Sequence, residues 1–373
     1  MQKEFTSDQH QFRESLTRFM QAKSTPDDVR EQMTTEQGYD TKVWQQLCSE
    51  LGVAGIHIPE QYGGFGFGHI ELGIVMEEMG KNLFCGPYLS TSVMSASALI
   101  HCASEDAKEA LLPDIAMGQS IVTLVMDNLD APERVGSKIQ ENSNLITGTA
   151  NIVVDAAAAD SMLVVATSSS GLGLFLVKAN DSNVVVTSRE SLDPTRKLCE
   201  VTFSSASAQK VGDVDLGTLQ RVWRDCSVAL AHEMIGGAQY LLSSTIEYTK
   251  LRVQFGRPIG SFQALKHRCA DLLMEVEFAR ASTYHAARLL DATTTIDGVA
   301  ETEVYAPHMA KALAADTYSN VARAAVQLRG GIGFTWEDDT HLWFKRAKSS
   351  EVFLGTPERH REWMMQLMEG ETS

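Results

Sequence analysis

The sequence predicts an α+β chain in three zones: an all-helical stretch over residues 1–118, a compact β domain over 119–214 and a helical bundle over 215–373. Three observations carry this division. Before about residue 118, apolar residues recur at helical spacing, with Gly or Pro near the segment ends. Then come short β-branched runs parted by Asn, Ser, Gly and Asp, and from Leu216 the helical period returns in much longer segments.

The first zone opens with SDQHQFRESLTRFMQ, where Phe12, Leu16, Phe19 and Met20 share one face behind a Ser/Asp start that reads as a helix cap. TKVWQQLCSELGVAG, HIELGIVMEEMGKNL and SEDAKEALLPDIAMG repeat that periodicity. The loop IPEQYGGFGFGHIEL is rich in glycine. No strand precedes it, so it lacks the setting that a dinucleotide-binding loop requires. The second zone is built from SIVTLVM, LITGTANIVV, SMLVVAT, GLGLFLV, NVVVTS and CEVTF, each the length of a strand. The third holds LQRVWRDCSVALAHEMIGGAQYLLSSTIEYTKLR, FQALKHRCADLLMEVEFARASTYHAARLLDA and AETEVYAPHMAKALAADTYSNVARAAVQLRGG. Segments this long with short connections favour antiparallel packing.

At 373 residues the chain exceeds one core of ordinary size, and its 44% hydrophobic and 21% charged content suits a globular fold. No apolar run is long enough to cross a bilayer, and MQKEFTSDQHQFRESL has neither an apolar signal core nor transit character, so the expected location is the cytoplasm. A net charge of -16 repels phosphate backbones and anionic lipid, which argues against nucleic acid and membrane partners. The six cysteines (Cys48, Cys85, Cys102, Cys199, Cys226 and Cys269) form no CxxC pair and read as buried thiols. No HExxH occurs, so no metal site is expected.

Three patches of the last zone depart from ordinary bundle sequence. In LRVQFGRPIGSFQ, Arg252 and Gln254 sit beside Phe255, and Gly256, Pro258 and Gly260 break the helix ahead of Phe262 and Gln263, a way to present a guanidinium and amides to an anionic ligand. In QLRGGIGFTWEDD, Gln327 precedes Gly330, Gly331 and Gly333, whose bare backbone admits close approach of a flat or phosphorylated ligand. The third is SSEVFLGTPERHRE, with Gly355 and Thr356 behind an apolar trio. Taken singly, the first reads equally as a loop between helices and the second as a helix cap.

In this order, behind an α and then a β zone, the patches resemble the acyl-CoA dehydrogenases, whose R-x-x-F-G, Q-x-x-G-G-x-G and E-G-T signatures lie in the C-terminal helical domain. YTKLRVQFGRPIGSFQALKHRCADL and GGIGFTWEDD carry most of the likeness, which extends over the whole chain. It implies an N-terminal helical domain, a small β-barrel, a four-helix bundle and FAD held between subunits. It also implies an acyl-CoA thioester substrate dehydrogenated at C2 and C3, a tetramer, and an electron-transfer flavoprotein to reoxidise the flavin. On this resemblance Arg252, Gln254, Phe255, Phe262 and Gln263 meet the FAD of a neighbouring subunit. Gln327, Gly330 and Gly331 meet its adenosine half, and Thr356 and Glu358 form the polar pair after the catalytic base.

The base itself is missing. Where the family has glutamate before Gly-Thr, this chain has Leu354, and the alternative base position on an earlier bundle helix falls on Cys226. Asp225 is adjacent, but neighbouring helical positions point about 100° apart. The catalytic residue is therefore unassigned from the sequence. The β zone departs as well: TLVMDNLDAPERVGSKIQ and GTANIVVDAAAADSMLV stand where the family usually has T-E-P-x-A-G-S-D and W-I-T-N. GTANIVVDA, LDPTRKLCEV and GGIGFTWEDD are similar to the bacterial branch that degrades sterol and bile-acid side chains, in which two different chains often form a heterotetramer. That likeness implies one subunit of a homo- or heterotetramer, with two alternatives: a catalytically silent activating subunit, or a flavin-free binder of acyl-CoA.

Overall fold

The structure is a computed structural model, and it describes residues 5–130, 134–136, 138–293 and 305–369. Part of the TLVMDNLDAPERVGSKIQ stretch and the start of the AETEVY segment lie outside the described residues. The chain divides into two compact units. One comprises residues 1–26, 73–84 and 227–373, the other 27–72 and 85–226. Among the described residues, no helix is long and apolar enough to cross a membrane.

The first unit begins with α1 (Ser7–Lys23), which is capped not by the expected Ser/Asp start but one residue earlier, by a capping box on Thr6. Thr6 Oγ1 accepts from Gln9 N, and Gln9 Oε1 accepts from Thr6 N at 2.9 Å, while Leu16 and Met20 are buried. The unit also takes α4 (His69–Lys81) from Gly73 and α7 (Leu216–Leu251) from Ser227. These two helices touch backbone to backbone: a Cβ on Gly80 would stand 1.9 Å from Glu233 O, and one on Gly236 1.9 Å from Glu77 O. Only glycine permits that approach. The sequence suggests a simple break after α7. The structure instead forms a two-residue hairpin, β8 (Val253–Gln254) on β9 (Arg257–Pro258), with Phe255 and Gly256 both at positive φ. There follow α8 (Gln263–Thr293), α9 (Ala306–Arg329), α10 (Thr340–Val352) and α11 (Pro357–Met368), with α8, α10 and α11 all packed on α9. The buried face of α9 is largely alanine, which lets these neighbours come close.

The second unit holds α2 (Pro26–Gln32), α3 (Thr41–Leu51), a buried π-helical segment Tyr88–Ser95 that runs into α5 (Ala96–Cys102), and α6 (Glu105–Ala116). Its sheet comprises β1 (Val122–Val125), β2 (Ile139–Asn142), β3 (Leu145–Val154), β4 (Ser161–Ser168), β5 (Gly171–Lys178), β6 (Val184–Ser188) and β7 (Leu198–Asp213). Pairings β4–β2, β2–β3, β3–β7, β7–β5 and β5–β4 close a small barrel, with β1 parallel to β4 and β6 on β7. Ile146, Val164, Phe175, Val201 and Phe203 fill it. Two features exceed the sequence reading. Polar β2 pairs with β3 through the tight turn at Ser143 and Asn144, both left-handed. β7 continues ten residues past CEVTF because Ser205, at φ +65°, lets the small polar stretch bend and go on pairing with β5.

Candidate functional site

Arg252 sits where α7 ends: its N–H donates to Tyr248 O, and its carbonyl accepts from Ile259 N at 2.8 Å across the hairpin. Arg252, Gln254 and Gln263 have exposed side chains, and Phe255 is 89% exposed. A phenylalanine in the left-handed region and open to water is doubly unfavourable for a free loop, and suits one built to be covered. Phe262 stacks under the Arg257 guanidinium, 4.0 Å from the ring centre, and meets Phe255 edge-on.

Gln327 lies exposed at the end of α9, followed by Gly330 and Gly331. Open space lies beside both glycines, where a side chain would stand. Phe334 and Trp336 beyond them are largely exposed. Arg329, buried, ties this strip to the end of α7 that leads into the hairpin. Its guanidinium donates to Ser244 and Thr245 on α7 and to Asp338, and Tyr248 OH donates to Arg329 O. The structure therefore brings Arg252, Gln254 and Phe255 together with Gln327, Gly330 and Gly331 at one end of the α7–α9 pair.

Thr356 and Glu358 are elsewhere. They open α11, where Thr356 caps by accepting from Arg359 N. Glu358, at the positive helix end, has its carboxyl held below the ordinary range, first by a backbone N–H and then by the Thr356 hydroxyl. The turn before them rests on Lys311, near the start of α9. From Lys311 to Gln327 is about 24 Å of helix at about 1.5 Å per residue. A single chain thus presents two separate sets of the matched residues.

Both family base positions are apolar or inert. Leu354 is 1% exposed and adopts φ +60°. Cys226 is buried, and burial, followed by the neighbouring Asp225 charge, drives its thiol well above the ordinary range, so it is no base. Asp225 is committed elsewhere. His101 Nε2 stands 2.7 Å from one carboxylate oxygen and His69 Nε2 3.3 Å from the other. Burial alone would raise this carboxyl, but the two imidazoles outweigh it and hold the group ionised well below the usual range. So weak an acceptor, enclosed on both oxygens, is a tie between α7, α4 and α5 and a poor proton acceptor. Sequence reading missed His69 and His101 because nothing local marks them.

The first unit also carries an open polar cleft of about 650 Å³ along α1, α4, α7 and α8. Its floor is Glu77, held ionised by Arg280 and Arg13 against the cost of burial, with Tyr284 OH donating to the same carboxylate. None of the residues matched to the cofactor lines it.

The exposed guanidinium of Arg252, the amides beside it, the exposed aromatic rings and the open glycine strip suit a ligand with a pyrophosphate and a flat ring system, and FAD is such a ligand. Residues 6–119 match the model of the acyl-CoA dehydrogenase N-terminal domain, and residues 227–368 that of the C-terminal domain. The chain is 34% identical over 348 residues to acyl-CoA dehydrogenase IpdE2 of Mycobacterium tuberculosis, covering 92% of each. Among solved structures it is similar to the ChsE4-ChsE5 complex of Mycobacterium tuberculosis (28% identity, TM-score 0.85, 98% of each chain). It is likewise similar to the Tcur3481-Tcur3483 steroid ACAD (26% identity, TM-score 0.85, 98% of this chain and 99% of that one). With its helical N-terminal domain, small β-barrel and helical C-terminal domain, the chain belongs to the acyl-CoA dehydrogenases, a family of FAD-dependent oxidoreductases.

Proposed function

We propose that this chain is one subunit of a heteromeric acyl-CoA dehydrogenase that introduces a C2–C3 double bond into a steroid-derived acyl-CoA thioester, with a second chain of the family supplying the catalytic base. The observation that carries this is the pairing of an exposed set of cofactor-matched residues with base positions occupied by Leu354 and Cys226, both buried. The similarity to the ChsE4-ChsE5 complex and to the Tcur3481-Tcur3483 steroid ACAD supports both the heteromer and the substrate class. Arg252 and Gln254 serve the pyrophosphate and ribose of FAD on a neighbouring subunit, with Phe255, Phe262 and Gln263 beside them. Gln327, Gly330 and Gly331 receive its adenosine half, and Thr356 and Glu358 contact a cofactor at the other end of α9. Bound FAD supplies the hydride acceptor, and an electron-transfer flavoprotein removes the electrons. The functional division is that of the three zones 1–118, 119–214 and 215–373, and six cysteines that form no disulfide suit the cytoplasm.

A homo-oligomer lacking a positioned base turns over about a hundred- to ten-thousand-fold more slowly than an intact enzyme. The test is an anaerobic visible spectrum of the chain alone and with a co-encoded family member, before and after acyl-CoA is added. Flavin bleaching is expected only with the partner; rapid bleaching by the chain alone would refute the assignment.

A further inference from the structure

Beneath the Phe353–Thr356 turn lies a buried polar cluster that serves none of the roles given above. Lys311, 0% exposed, directs its ammonium at the carbonyl oxygens of Ser350 (3.1 Å), Gly355 (3.2 Å) and Glu351 (3.4 Å), so it caps the C-terminus of α10 and grips the turn at once. His360 Nε2 lies 3.0 Å from Leu354 O. A carbonyl oxygen only accepts, so this nitrogen carries the proton. In the neutral ring Nδ1 is then bare, and the His308 Nδ1 that lies 3.2 Å from it must be the donor. The direction of the chain is thereby fixed: His308 donates to His360, and His360 donates to Leu354. Burial, with the Lys311 charge and His308 beside it, pushes His360 down to about 2, so the ring stays neutral. Trp363 packs edge-on against His360, and both rings come close to Gly355, where a Cβ would stand 3.1 Å from Trp363 and 3.3 Å from His360.

What the cluster holds is unusual. Leu354 at φ +60° and Gly355 at φ +97° are consecutive left-handed residues, and a buried leucine has no conformational reason to be there. Of the four carbonyls the cluster holds, two are those of these two residues, and the next residue is Thr356, cap of α11. We propose that His360, backed by His308 and assisted by Lys311, is a positioning residue. It fixes the Leu354–Gly355 backbone and thereby sets where Thr356 and Glu358 stand against the flavin cofactor. The cofactor part rests on the function proposed above.

Two measurements test it. On the flavin-free chain labelled with ¹⁵N-histidine, His360 is expected to show a protonated Nε2 and a bare Nδ1, unchanged from about pH 8 to about pH 5. A proton on Nδ1, or titration within that range, overturns the device whether or not flavin ever binds. The second compares FAD affinity of the partner-loaded protein in His360→Gln, whose amide can donate to the same carbonyl, and His360→Leu, which cannot. The expected result is near wild-type binding for His360→Gln and about tenfold weaker binding for His360→Leu, the worth of one neutral hydrogen bond. Equal binding by the two variants overturns the positioning role. If the wild type takes up no flavin with any partner, the functional assignment and the cofactor part fall together, and the labelled histidine still decides the device.

Discussion

Asp225 shows how a carboxylate beside an expected base position can be mistaken for a base. Its two oxygens face His69 and His101, and the latter pair spans 124 residues of sequence. Helical geometry already argued that Asp225 pointed away from the site. What it pointed at was hidden, because partners so distant in sequence leave no periodic trace. Asp225→Asn is expected to cost about 3 kcal/mol of unfolding free energy, since it strips a buried charge from its partners. A base would instead lose rate and keep stability; urea melts run beside single-turnover kinetics separate the two. The pH dependence has a definite sign. The folded carboxyl is depressed, so its contribution is fully present above the unfolded value of about 3.9 and is lost as pH falls through the folded one. On the acid side the gap between wild type and variant therefore narrows only below about pH 4. His360 acts higher on the scale. With the folded ring near 2 and the unfolded ring at about 6.5, the unfolded chain binds the extra proton, so stability falls as pH drops below about 6.5, by about 1.4 kcal/mol per unit. His360→Gln is expected to flatten this slope in melts over that range.

Among the elements, the long helices and β3, β4, β5 and β6 were legible because their periodicities are strong, and the barrel's β2 and most of β7 were not. Those segments are polar or small-residued and pair through left-handed turn residues, so their strand character comes from neighbours and not from composition. The β8–β9 hairpin was legible only as a break: its glycine was visible, and the matching positive φ at Phe255 was not. The glycine strip after α9 permits a clean test. Gly331 is not in the left-handed region and has nothing near its Cβ position. Gly331→Leu is therefore expected to leave the melting free energy within about 0.5 kcal/mol of wild type. Flavin occupancy, read from the visible to ultraviolet absorbance ratio, should nevertheless collapse. Unchanged occupancy would remove this strip from the cofactor site.

For the whole molecule, the exposed apolar residues of α8 are the strongest sign that the chain does not work alone. Leu273, Met274 and Phe278 are 45%, 68% and 66% exposed on one helix, and such clustering marks a surface meant to be covered. The double substitution Met274→Glu and Phe278→Glu is expected to shift the light-scattering mass of the proposed assembly to smaller species, with helical circular dichroism retained. An assembly that survives would put the interface elsewhere.

The left-handed turn at 354 also bears on ancestry. Its supports hold carbonyl oxygens, which every amino acid carries, so the hydrogen bonds themselves do not involve the side chain at 354. No leucine codon becomes a glutamate codon by a single nucleotide change. A lineage that holds leucine there must therefore pass through valine, glutamine or another residue to reach a glutamate at 354.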